Sequence, residues 1–157
     1  MRIKLLVMGK TADTYLQEGI KKYENRLQNY VTFDIITLAD VKQAKNLNSQ
    51  QLIEKEAELI LSKIDNTDTL ILLDEHGKCF SSVEFSKYIE RSMISSVSSL
   101  IFLVGGAYGV STRIKERANF TLSLSAMTFS HQMVRLFMVE QLYRAFTIIK
   151  KEPYHHA

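Results

Sequence analysis

The chain has 157 residues, 46% hydrophobic and 24% charged, a balance that fits one folded domain with a buried core and excludes a disordered chain. A single cysteine, Cys79, excludes an internal disulfide framework, so a reducing cytoplasm is the expected compartment. The net charge of +3, with a sequence pI near 8.9, permits a nucleic-acid partner without requiring one.

The first apolar run, Leu5-Leu6-Val7-Met8, is too short for a signal-peptide core or a membrane span, so no targeting or membrane role is expected. Arg2 to Val7 reads as a strand closed by Gly9. Leu16, Ile20, Tyr23 and Leu27 recur at helical spacing, with Thr11 or Asp13 available as a cap. Val31 to Leu38 is a β-branched second strand, and the Lys-rich stretch Ala39 to Asn48 a loop. From Ser49 a helix places Ile53, Ala57, Ile60 and Ile64 on one face. Leu70 to Leu73 is a third strand, after which Gly77-Lys78 is expected to turn the chain. Ser81 and Glu84 stand at capping-box spacing, opening a helix that turns Phe85 and Ile89 inward. A wholly apolar strand, Leu100 to Val104, leads through Gly105-Gly106-Ala107-Tyr108-Gly109 into a short helix ending at Arg117. Phe120 to Leu124 is a fifth strand, Ser130 to about Ile149 the longest helix, and Glu152 to His156 a tail.

Strands alternate with helices long enough to serve as parallel crossovers, so the class is α/β: one domain over residues 1–157, with a mainly parallel sheet flanked by helices. The last helix is apolar around nearly its whole circumference. Such a helix is either enclosed by its own chain or shared with a second subunit.

Three of the six glycines lie within Gly105 to Gly109, after an apolar strand and before a helix, where open α/β sheets bind ligands. A glycine cluster there is also what a tight turn needs. It fails the dinucleotide fingerprint, because Val104 stands at the first glycine position and Ser123 and Ser125 replace the acid that should end the next strand. No Gly-Lys-Ser/Thr loop is present either. A ligand here is therefore held by backbone and shape, which suits an adenosine group without phosphates. The run Leu124-Ser125-Ala126-Met127-Thr128-Phe129 has neither strand period nor turn residues, and reads as a loop that covers the core or walls a ligand. His131, Arg135 and Arg144 are polar positions on an apolar helix, and Tyr154 and His155 follow the only proline. The four histidines and one cysteine form no metal-ligand spacing, so no metal is expected. The absence of a Gly-x-Ser-x-Gly elbow removes one serine-hydrolase reading.

Several motifs occur together in one order: Leu73-Asp74…Gly77-Lys78, Ser81-Ser82-x-Glu84-Phe85, Gly105-Gly106-x-x-Gly109, Leu124-Ser125-x-Met127-Thr128-Phe129, His131-Gln132-Met133-x-Arg135, Glu140 to Phe146, and Pro153-Tyr154-His155. Over essentially the whole chain this set resembles the ribosomal RNA large subunit methyltransferase H family, within the SPOUT class of S-adenosylmethionine enzymes. The resemblance implies a deep C-terminal trefoil knot, which periodicity is blind to and which is rare among folds, and a homodimer. It implies transfer of a methyl group from S-adenosylmethionine to N3 of a pseudouridine, position 1915 of 23S ribosomal RNA.

Carried over by residue, the resemblance places the cofactor against Leu73, Gly105 and the run Leu124, Ser125, Ala126, Met127, Thr128 and Phe129, with Gly106 and Gly109 shaping the pocket. The tail, Tyr154 and His155, would reach the other subunit's cofactor and help form the RNA site. His155, favoured here, or His131 or solvent would accept the N3 proton. Arg135 and Arg144 would orient substrate or the dimer, and Lys10, Lys21 and Lys22 would meet phosphates. Two departures stand out: Ser130 replaces the proline common before the motif histidine, and His156 replaces a terminal fixed charge. The alternative is a catalytically silent ribosome- or RNA-binding module with the same fold.

Overall fold

In a computed structural model describing residues 1–156, five strands form one sheet in the order β2-β1-β4-β3-β5, and every strand pairing is parallel. The strands are β1 (Arg2–Met8), β2 (Thr32–Leu38), β3 (Thr69–Cys79), β4 (Ser99–Val104) and β5 (Phe120–Ser123). The helices are α1 (Thr14–Leu27), α2 (Ser49–Leu61), α3 (Ser82–Ile94), α4 (Thr112–Arg117) and α5 (His131–Ile149). The expected loop before α2 contains one short 3-10 turn, Ala44–Asn46.

Alternation along each strand divides the core between the two faces of the sheet. Ile3, Leu5 and Val7 of β1 join Leu100, Phe102 and Val104 of β4 beneath α1, α3 and α5. Leu6, Met8, Ile101 and Leu103 point the other way, against Ala57 and Ile60 of α2 and Ile114 of α4. The central strand β4 is buried along its whole length, which is why its sequence reads as a continuous apolar run.

Helix starts follow the expected local chemistry. Ser81 and Glu84 complete a capping box at α3, and Asn48 with Gln51 forms a second one at α2. Asp13 occupies the cap position of α1, but its side chain makes no capping bond. Ser130 accepts a hydrogen bond from the Met133 amide at 3.2 Å and so caps α5.

The expected turn at Gly77-Lys78 is instead an irregularity inside a longer strand. β3 runs on to Cys79, and its pairing with β5 jumps from Leu73 to Lys78. The Asp74 carboxylate accepts the His76 amide at 2.9 Å and holds the bulged segment. Gly77 is required by close approach, since a Cβ there would lie 2.7 Å from the Leu122 carbonyl carbon and 2.8 Å from the Ser123 nitrogen.

α5 is less enclosed than its apolar sequence suggests. Met138, Val139, Leu142, Ala145 and Phe146 are buried, whereas Val134, Leu136, Phe137, Tyr143, Ile148 and Ile149 remain partly exposed. The helix packs on α1 and α3; Leu136 and Tyr143 lie toward α1, whereas Val134, Phe137 and Ile148 form a half-open apolar stripe on another side.

Because the atoms facing Gly77 are backbone and cannot swing aside, Gly77→Ala is expected to lower unfolding free energy by about 1–3 kcal/mol. Equilibrium urea unfolding measures this; an unchanged midpoint would show that β5 can yield at that point.

Candidate cofactor cleft

The strand order brings together the loops that follow β3, β4 and β5. Between them, at the carboxyl edge of the sheet, lies a cleft of about 430 Å³. Leu73, Val104 and Leu122 form its floor, and His131 and Val134 of α5 close one side.

The loop after β4 is a tight turn and also a wall of the cleft. The Gly109 amide donates to the Gly106 carbonyl at 3.2 Å, and Gly109 adopts φ 85°, a conformation costly for residues with a Cβ. Gly105 leaves no room for a side chain, because a Cβ would lie 2.6 Å from Val110 Cγ1.

Residues 124–129 turn without Gly, Pro, Asn or Asp because serine hydroxyls do that work. Ser123 Oγ donates to the Ser125 carbonyl at 2.7 Å, and Ser125 Oγ accepts the Met127 amide at 2.9 Å. Thr128 Oγ1 donates to the Glu75 carboxylate, tying this loop to the bulge of β3. Phe129 packs on Phe137 with ring centroids 4.9 Å apart, while Met127 stays 73% exposed at the mouth.

Leu73, Gly105, Gly106, Gly109, Leu124, Ser125, Met127, Thr128, Phe129 and His131 all line this cleft. Ala126 belongs to the same loop but is not among the lining residues. Burial, followed by the nearby Arg135 charge, lowers the His131 pKa from its ordinary value of 6.5, and Asp40 partly opposes this. His131 is thus biased toward the neutral imidazole.

Arg135 does not face the cleft. Its side chain is 1% exposed, and Nη1 donates to the Gly9 carbonyl at 2.8 Å and to Thr11 Oγ1 at 3.1 Å, while Nη2 donates to the Met8 carbonyl. It fastens α5 to the end of β1.

Arg144, Tyr154 and His155 form a second group, outside the cleft of their own chain. Glu140 organises it: Oε1 accepts Arg144 Nε at 3.1 Å and the Tyr154 hydroxyl at 3.0 Å. The Arg144 guanidinium lies 4.7 Å from the centre of the Tyr154 ring. Arg144 can only donate, so the 3.4 Å approach of its Nη1 to His155 Nδ1 makes that nitrogen the acceptor and leaves Nε2 to carry the proton of a neutral ring. Burial, then hydrogen bonds with Tyr23 and Glu140, push the Tyr154 phenol well above its ordinary range, so it stays an O–H donor. A hydrogen bond to Glu152, with burial, pushes Tyr30 up to about 12 and pins the start of the tail. Sequence reasoning assigned Glu140 no role; its (i, i+4) spacing to Arg144 was the available signal.

Among the described residues no group of three His, Cys, Asp or Glu side chains could hold a metal ion, and no helix is long and apolar enough to cross a membrane.

Residues 1–155 match the family described as predicted SPOUT methyltransferase. The chain is 55% identical to the ribosomal RNA large subunit methyltransferase H of Flavobacterium johnsoniae, over 99% of both chains. It is 50% identical to that of Cytophaga hutchinsonii, over 99% of this chain and 100% of the relative, and 42% identical to that of Porphyromonas gingivalis, over 99% of both. A crystal structure of a probable methyltransferase from Bordetella pertussis Tohama I shares the fold, with a TM-score of 0.59 at 9% identity, covering 92% of this chain and 96% of that one. The chain belongs to the SPOUT methyltransferases and, among them, to the ribosomal RNA large subunit methyltransferase H family. It is a methyltransferase.

Two outcomes follow from this geometry. Arg135→Met strands the Met8 and Gly9 carbonyls and should cost about 2–3 kcal/mol, the usual worth of hydrogen bonds from a charged donor, read by chemical unfolding. His131 should titrate below 6.5 in an NMR pH series. Since its folded pKa is depressed, its contribution is present above about pH 6.5 and is lost as pH falls through the folded value. His131→Gln should flatten that part of the stability profile, and a titration at or above 6.5 would contradict the assignment.

Proposed function

We propose that this protein uses S-adenosylmethionine to methylate N3 of a pseudouridine at position 1915 of 23S ribosomal RNA. In this reading residues 1–157 form one SPOUT domain, knotted where β5 and α5 follow the glycine loop, and the domain works as a homodimer in the cytoplasm. The observation that carries it is a cleft built from backbone loops and apolar floor residues with no phosphate-binding motif, which suits an adenosine bearing a sulfonium in place of phosphates. The names of the relatives, which specify large-subunit ribosomal RNA, support the substrate class.

The cofactor, when bound, supplies a methyl group already activated on a positively charged sulfur. The protein's task is then largely positioning and proton removal. Leu73, Gly105 and residues 124–129, including the backbone at Ala126, would hold the adenosine, with Gly106 and Gly109 keeping the wall open. The N3 proton goes to a neutral imidazole. His155 Nε2 cannot take it while it carries the ring proton; the tautomer that can must surrender the Arg144 contact, or His131 serves instead.

The Arg144, Tyr154 and His155 group lies outside its own chain's cleft, and α5 leaves an apolar stripe half open. A dimer formed through that stripe brings the tail of one subunit to the cleft of the other. Arg144 and His155 then meet RNA at the cleft mouth, and Lys10, Lys21 and Lys22 extend the basic surface toward phosphates.

The test incubates the protein with methyl-labelled cofactor and either whole ribosomes or naked 23S RNA. Label at N3 of the pseudouridine is expected, and no incorporation while a homologous enzyme works in parallel would leave the silent-module reading. Gly105→Val should abolish calorimetric binding of S-adenosylhomocysteine, because its branched side chain collides with Val110. Arg144→Ala should lower kcat by about 10²-fold or more, the usual scale for lost positioning, while S-adenosylhomocysteine binding survives.

A further inference from the structure

The cleft is ringed by charged side chains, and most of the acids among them are already engaged. Asp74 accepts the His76 amide, and the Glu75 carboxylate takes the Thr128 hydroxyl. Lys115 in the lining, and Glu56 just beyond it against the glycine loop, make no hydrogen bond or ion pair among the described residues. Lys115, near the end of α4, lines the cleft without a partner carboxylate. Glu56, on α2, lays its carboxylate directly over Gly106: a Cβ at Gly106 would lie 2.8 Å from Oε2 and 3.0 Å from Oε1.

A side chain at Gly106 would have to displace the Glu56 carboxylate. A half-buried carboxylate without a donor is an unfavourable arrangement unless something cationic completes it. Burial, with the Asp40 charge second, raises the Glu56 pKa, as expected of a carboxylate lacking its counter-ion. Asp40, beside Gly9, likewise makes no hydrogen bond or ion pair among the described residues, and its charge adds to the negative potential at Glu56.

Glu56 against the glycine loop and Lys115 in the cleft lining, an anion and a cation without partners among the described residues, are the complement of an α-amino-acid zwitterion. We propose that Glu56 and Lys115 form the subsite for the amino-acid end of the cofactor, Glu56 receiving the α-ammonium and Lys115 the α-carboxylate. The proposal rests on the cofactor reading above and assigns it an orientation: the adenosine lies toward Leu73 and residues 124–129, and the amino-acid end toward Gly106 and α4. It also gives Gly106 a purpose separate from the tight turn, that of letting a carboxylate stand beside the backbone at the ligand.

The test is calorimetry on the full chain with two probes. S-adenosylhomocysteine carries the amino-acid end, whereas 5′-methylthioadenosine lacks it. The wild type should bind the first at least 10-fold more tightly. Glu56→Gln and Lys115→Gln should each weaken S-adenosylhomocysteine about 10-fold and change methylthioadenosine by less than 2-fold. Equal weakening of both probes by Glu56→Gln would mean that the residue merely props the loop, and would overturn the proposal. So would a wild type that binds the two probes alike, which would still leave the cofactor reading standing. Absence of binding by either probe would remove the cofactor reading itself. Lys115 is on the surface, so its variant keeps the test decisive should Glu56→Gln fail to fold.

Discussion

The Arg135 guanidinium holds the last helix against the carboxyl end of β1, and the working edge of the molecule depends on that contact. This fully buried cation has no carboxylate in ion-pair range; its Nη groups donate to two main-chain carbonyls and a threonine hydroxyl, its Nε–H has no partner, and the Asp40 charge lies nearby. The contact fixes where α5 begins. That position sets His131 and Val134 at the cleft and determines how the preceding loop must run. One geometric constraint thus links the first strand, the last helix and the cleft wall.

The cleft explains its own sequence in the same terms. The glycines in and beside it serve different ends: Gly109 for a left-handed backbone, Gly105 to clear Val110, Gly106 beside the Glu56 carboxylate, and, in the adjoining bulge, Gly77 to let β3 approach β5. Serine hydroxyls shape the opposite wall, where glycine or proline would ordinarily be expected. A site built this way offers amides, carbonyls and apolar surface and no anion-binding loop. That is the chemistry a phosphate-free nucleoside requires.

The Glu140, Arg144, Tyr154 and His155 group is organised as a unit, with a carboxylate at its centre and an arginine and a phenol both donating to it. Its ordering within one chain holds the tail in place, which would reduce the entropy lost in the dimer proposed above. None of Arg144, Tyr154 and His155 lines its own chain's cleft, which is the observation behind the proposal of a shared site.

Much of the fold was legible in sequence, because strand alternation, helix period and capping boxes are local properties. β1, β4, α3 and α5 lie close to where their patterns place them, and the class of the sheet follows from their alternation. The cleft was legible as a set of motifs whose order resembles one family. What the residues could not give is where distant parts meet. Gly77 reads as a turn, and only the approach of β5 makes it a bulge in a longer strand. Arg135 reads as one polar position among several on an apolar helix. It is a clamp because β1, more than 120 residues earlier, presents unpaired carbonyls to it. Glu56 carries no motif at all, and it gains meaning only because α2 lies against the glycine loop. Periodicity and caps determine elements, whereas the burial of a charge or the emptiness beside a glycine is a property of two segments at once, and only tertiary structure decides it.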